Sequence, residues 1–351
     1  ASNAAVAEVG HVVATLAAFS SSHPGTGGWF PSQWLGDATE SLTEADLDAV
    51  ENAHLAWGLY AAAGALQAAG SGLHADARAL FDAMAASCVP LFHLSAGAFV
   101  STVHVPAPSS VRSEGNVVRN AANTIIDGYD NELLLMLAVL FGDWSGAPDA
   151  AAQVWPRIRP PQPLVPFVVA GTVLDVPAGR RFSADEDARY LILPYTDVPL
   201  HATALLHAQI ARTHNAAAQG LSGLHGDVVD SSGAAVTTNG VPELSRDTAW
   251  LPGDTTAPHA AFGAMLVDLP AGMAWHRAML AAADMQTTSG SRQAFTGGKS
   301  DTVMTWTAHA LPALAALGGV APLMRAYLEA DQVLAGFLSV VESEASAVWG
   351  S

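Results

Sequence analysis

Four carboxylates stand close together in RSEGNVVRNAANTIIDGYDNELLLMLAVLFGDW, residues 112–144: Glu114, Asp127, Asp130 and Glu132. Acid/base cleavage of a glycosidic bond needs two carboxyl groups, one protonated and one ionised. The apolar run LLLMLAVLF follows at once, so these acids are expected at the mouth of a helix too apolar to face water. A plainer role fits the same residues. Asp127 or Asp130 can cap the helix, with Glu132 favouring its dipole.

A second acidic set comprises Asp197 in LPYTDVPLHAT, Glu243 and Asp247 in PELSRDTAWLPGD, and Asp254. Glu243, Asp247 and Trp250 share one loop. A sugar site uses both residue types, because flat rings cover the apolar faces of pyranoses while carboxylates bind hydroxyls. Glu132 is therefore the first expected catalytic carboxylate, with Asp130 or Glu243 as its partner. Asn52, His54, Trp57, Tyr195, Asp197, His201 and Trp250 are the expected substrate contacts. A solvated loop, a helix cap at Asp197 and a core histidine at His54 are the plain alternatives. His207 and His214 share a helix face but no H-E-x-x-H accompanies them, so no metal is expected. GKS at Gly298–Ser300 lacks the earlier glycine of a phosphate loop, and neither G-x-S-x-G nor G-x-G-x-x-G occurs. No cofactor is expected.

Composition narrows the partners. The 351 residues carry a net charge of −18 with a single lysine, Lys299. Such a surface repels phosphate backbones and anionic membranes, but is indifferent to a neutral oligosaccharide or polysaccharide. Charged residues make up 13% and hydrophobic ones 50%, so a large core is easily built. No apolar run is expected to span a membrane, because the longest candidates are interrupted by His, Gly, Gln or Asp. Cys88, the single cysteine, excludes an internal disulfide and reads as a buried, inert thiol. The first residues, Ala-Ser-Asn-Ala, lack a charged start and an apolar signal core. The expectation is a secreted or periplasmic protein with its signal removed, with the cytoplasm as the other reading.

Helical periodicity must supply the positions of these groups. It predicts helices over Val6–Phe19, Glu44–Ala69, Ala75–Val89, Glu132–Phe141, Ala184–Leu191, Leu200–Ala218, His259–Val267, Gly272–Ala283, Val303–Leu317 and Ala321–Val348. Ser41 or Thr43 is the expected cap of the second. Pro270 divides two helices, and Pro312 kinks or breaks another. Extended pieces are expected at Ala98–Val105 and in FVVAGTVLDV, and residues 220–258 read as a long, partly ordered loop. Many helices with few strands and no repeat period suit a single mainly α-helical domain over residues 1–351, a closed toroid of helix hairpins.

Three segments together resemble the bacterial glucoamylase-like family, which includes enzymes acting on β-1,2-glucans. DAVENAHLAWGLYAAAGALQAAG (Asp48–Gly70) is similar to an early family helix. YDNELLLMLAVLFGDW (Tyr129–Trp144) is similar to its tyrosine–acid helix, with Glu132 at the acidic position. LPYTDVPLHATALLHAQIARTHNAAAQGLSGLHGDV (Leu193–Val228) resembles a long helix followed by a Gly-rich loop. The resemblance implies an (α/α)6 toroid and a glycoside hydrolase acting on a glucan or oligosaccharide. The family's Trp-Gly pair is replaced near Leu224 and His225, and no acid occurs in Thr305–Leu314. The other implication is therefore an oligosaccharide-binding relative without catalysis. A helical scaffold whose acidic face meets a basic protein is a third class.

Overall fold

A short polar residue before an apolar run fixes where a helix starts, and Asp48 does so here. In the computed structural model its Oδ1 accepts the amides of Val50 and Glu51 at 2.8 and 2.9 Å, and helix α2 follows. The structure describes residues 3–31, 42, 44–94, 98–106, 108, 117–120, 124–125, 132–158, 163–229, 235–236, 240–246 and 255–349. These residues form two compact units: residues 1–160 with 327–337, and residues 161–326 with 338–351.

The first unit contains α1 (Asn3–Ser22), α2 (Ala49–Ala68), α3 (His74–Phe92), α4 (Glu132–Phe141) and α5 (Pro148–Ile158), with strands β1 (Glu44–Asp48), β2 (Thr102–Pro106) and β3 (Val118–Arg119). Helices α2, α3 and α4 pack on one another. Glu44–Asp48 was expected to open α2 but is strand β1, antiparallel to β2. The reason is its period of two: Ala45 and Leu47 are buried while Glu44 and Asp46 face out. The helix cap consequently moves to Asp48, and Ser41 and Thr43 lie outside the described residues. Helix α4 is apolar on every side, and Leu133–Ala138 are all buried, as such a sequence requires. Trp57, Tyr60, Phe81 and Phe141 form an aromatic cluster between these helices, with ring centroids 4.8–6.4 Å apart. Cys88 is fully buried, and burial pushes its thiol pKa up.

Helix α1 corrects one expectation. Ala4–Ser22 is long and apolar enough to cross a bilayer by length and composition. Gly10, Val13 and Phe19 nevertheless turn inward, and α1 lies against α3.

The second unit opens with the hairpin β4 (Leu164–Val169) and β5 (Thr172–Pro177). The turn residues Ala170 and Gly171 both have positive φ, 49° and 82°, as a tight two-residue hairpin turn demands. Next come α6 (Ala188–Ile192), α7 (Pro199–Ala218) and the short pair β6 (Val228–Val229) and β7 (Ala235–Val236). The hairpin lies on α7, where His207 Nδ1 bonds Asp175 O at 2.8 Å and His214 meets Phe167 edge-on.

Helices α8 (Phe262–Val267) and α9 (Leu269–Leu280) follow. They part where expected, with Asp268 capping Ala271 N at 3.0 Å and Pro270 in the first turn. Two hairpins that periodicity did not reveal come next: β8 (Gln286–Thr287) with β9 (Gly290–Ser291), and β10 (Phe295–Thr296) with β11 (Lys299–Ser300). Helix α10 (Trp306–Ala316) runs through Pro312 without a break.

The expected helix over Ala321–Val348 is two helices, α11 (Ala321–Ala330) and α12 (Leu334–Trp349). Gln332 turns the chain between them at φ 61°. Val333 N bonds Leu328 O at 2.8 Å and Gln332 N bonds Glu329 O at 3.0 Å, the paired bonds that close a helix around a left-handed residue.

Candidate functional site

Glu132 occupies the first turn of α4 and is 2% exposed. It is buried because the helix behind it is buried on all faces. The backbone beside it is held by Trp57, whose indole N–H donates to Leu133 O at 2.9 Å across 76 residues of chain. The Trp57 ring itself is fully enclosed among Tyr60, Phe81 and Phe141. The sequence places Trp57 at a sugar-lining position. The structure corrects this to a core position, because α2 directs that face at α4.

Asn52, one turn earlier, is also buried. Its side chain accepts from Phe30 N at 2.9 Å and donates to Phe30 O and Asp48 O, which fixes the entry of α2 to the preceding segment. His54 is exposed, with Nδ1 on Val50 O at 3.0 Å. Asp130, Asp127 and Glu114 lie outside the described residues.

In the second unit Tyr195 and His201 come together, ring centroids 5.2 Å apart, and both are fully buried. His201 Nδ1 meets the Tyr190 hydroxyl at 3.0 Å, Nε2 lies 3.8 Å from Glu344, and Trp349 stands edge-on at 4.8 Å. The Arg189 guanidinium covers both tyrosine rings, at 4.8 and 5.5 Å. This is an interior assembly, so these two side chains are not open to a ligand. Asp197 is at the surface and pairs with Arg325 at 2.7 Å. Glu243 is exposed on the single turn Pro242–Leu244. Trp250, Asp247 and Asp254 lie outside the described residues.

The densest charge cluster is one that the sequence reading missed. Asp187 accepts from Gln209 Nε2 at 2.6 Å and from Arg212. Glu186 Oε1 accepts the amides of Arg181 and Phe182 at 2.7 and 3.0 Å. Arg181 pairs with Asp227, and Asp185 accepts the Asp227 amide at 2.6 Å while facing His259 Nε2 at 3.3 Å. Burial pushes the Asp185 carboxyl up, but His259, that amide and Arg181 outweigh it, so its pKa lies below the ordinary value.

A signal was available. RRFSADEDARY, residues 180–190, is rich in charge within a chain that has 13% charged residues. Gln209 and Arg212 also share one face of α7. The cavity among Glu186, Asp187, Tyr190 and Arg212 holds about 20 Å³, room for about one water molecule and far too little for a sugar ring. Glu186, Asp187 and Arg212 therefore brace the fold around a space too small for a ligand.

The fold matches known structures over nearly its whole length. One is the endo-β-1,2-glucanase of Talaromyces funiculosus in complex with sophorose, at TM-score 0.84 and 23% identity over 96% of this chain and 72% of that one. A glutamate-to-glutamine mutant of that enzyme with β-1,2-glucan gives TM-score 0.85, again at 23% identity over 96% and 72%. A glucoamylase-like protein from Bacteroides uniformis gives 0.63 at 13% identity, over 93% and 80%. The mainly helical toroid class expected from the sequence is the fold shared with these proteins. No curated protein sequence matches the chain. The family model for the endo-β-1,2-glucanase SGL, however, matches residues 1–351, so the chain belongs to that family of glycoside hydrolases acting on a glucan.

Proposed function

We propose that this chain cleaves β-1,2-glucan internally, with Glu132 as the proton donor and Asp130 as the second carboxylate. The observation that carries the reading is the burial of Glu132 (2% exposed) in a chain that the glucanase family model matches from end to end. A proton donor works best where solvent does not compete for its proton, and the first turn of α4 keeps Glu132 out of bulk water. The Talaromyces funiculosus complexes with sophorose and β-1,2-glucan support the substrate class. Glu132 would protonate the glycosidic oxygen as the bond to the anomeric carbon breaks. The second carboxylate would either activate water or attack that carbon.

The test is Glu132→Gln assayed for new reducing ends on β-1,2-glucan. The expected result is a fall in kcat of about 10²–10⁴-fold with oligosaccharide still bound. Undiminished cleavage removes Glu132 from the mechanism. A wild-type chain that binds the glucan and returns it intact makes this a binding relative instead.

A further inference from the structure

We infer that Trp57 is a positioning residue for Glu132, acting through the backbone of α4; the inference rests on the reading of Glu132 as proton donor. Three observations converge. The indole N–H bonds the carbonyl of Leu133, the residue next to Glu132, at 2.9 Å. That carbonyl lies in the first turn of α4, the part of a helix most open to fraying. The donor has no freedom of its own: the ring is 0% exposed and meets Tyr60 and Phe141 edge-on, at 5.9 and 6.0 Å.

A helix start anchored by a rigid donor on α2 holds its first side chain to one position and keeps water from it. Ring packing alone would stabilise α4 anywhere along its length. The directed N–H at residue 133 specifically fixes the turn that carries Glu132. Small misplacements of a reacting group are expensive, about 10²-fold for 1 Å, so an anchor of this kind belongs to the rate and not to substrate affinity.

The experiment compares four proteins on β-1,2-glucan: wild type, Glu132→Gln, Trp57→Phe and Phe81→Leu. A fifth carries 3-benzothienylalanine at position 57, where sulfur replaces the indole N–H without changing the ring's size. The inference expects Trp57→Phe and the benzothienyl protein to lose about 10- to 100-fold in kcat with KM unchanged. The alkaline limb of their kcat profile should also move, because the surroundings of the proton donor set where it titrates. Phe81→Leu loosens the same aromatic cluster and should lower Tm while leaving that limb in place.

If Trp57→Phe fails to fold, the benzothienyl protein decides alone. An unshifted limb and normal kcat in it overturn the inference while Glu132→Gln stays inactive. An equal shift in Phe81→Leu also overturns it, since packing alone would then account for the effect. An active Glu132→Gln overturns the underlying reading instead.

Discussion

Arg212 and Asp187 are 5% and 8% exposed at the side chain, and removing one partner strands the other. Arg212→Met is expected to destabilise the second unit by about 3–5 kcal/mol, read as a lower denaturation midpoint in urea. Asp187→Leu added to it should recover part of that loss, because the orphaned charge goes too. Asp185 makes a second prediction. A carboxyl held below its ordinary pKa contributes stability at pH values above about 3.9. That contribution is lost as the pH falls through the depressed value. Melting followed from neutral to acid pH should therefore show a steeper loss for wild type than for Asp185→Asn. The types of these residues were legible in the sequence, but their burial was not. Charge density in residues 180–190 says nothing of depth, and a residue such as Trp57 looks alike whether it lines a groove or fills a core. Only the packing of α2 on α4 tells the two apart.

Helices whose ends carry sequence signals were placed well. Residues 132–141 were delimited by an acidic start and an unbroken apolar run, and Pro270 marked the break before α9. Errors arose where two conformations share a composition. EADLD reads as a first helical turn if its charges are counted, and as a strand if its alternation is. The split between α11 and α12 was hidden because its left-handed residue is Gln332 and not glycine. That choice stores strain of about 1–2 kcal/mol. Gln332→Gly is expected to raise stability by about 0.5–1 kcal/mol, after allowing for glycine's greater freedom in the unfolded chain. Thermal unfolding of the pair would check it, and a drop in Tm would mean the glutamine side chain makes up the strain.

At the scale of the whole chain, acidity left a neutral polymer open as a partner, which agrees with the family found. The toroid class was legible as well, because many helices and few strands leave few architectures. What composition could not show is the path of the chain through its two units. Tyr60 and Arg78, on α2 and α3, both bond Asp331 Oδ2, at 2.9 and 2.6 Å. The ring of Tyr327 lies on Gly64, where an added Cβ would come within 2.3 Å of it. Both partners come from residues 327–337, more than 250 positions downstream of Tyr60 and Arg78. During synthesis, therefore, the early helices wait for more than 250 further residues before their last acceptor arrives. A nascent chain ending near residue 160 leaves Tyr60 and Arg78 without that acceptor.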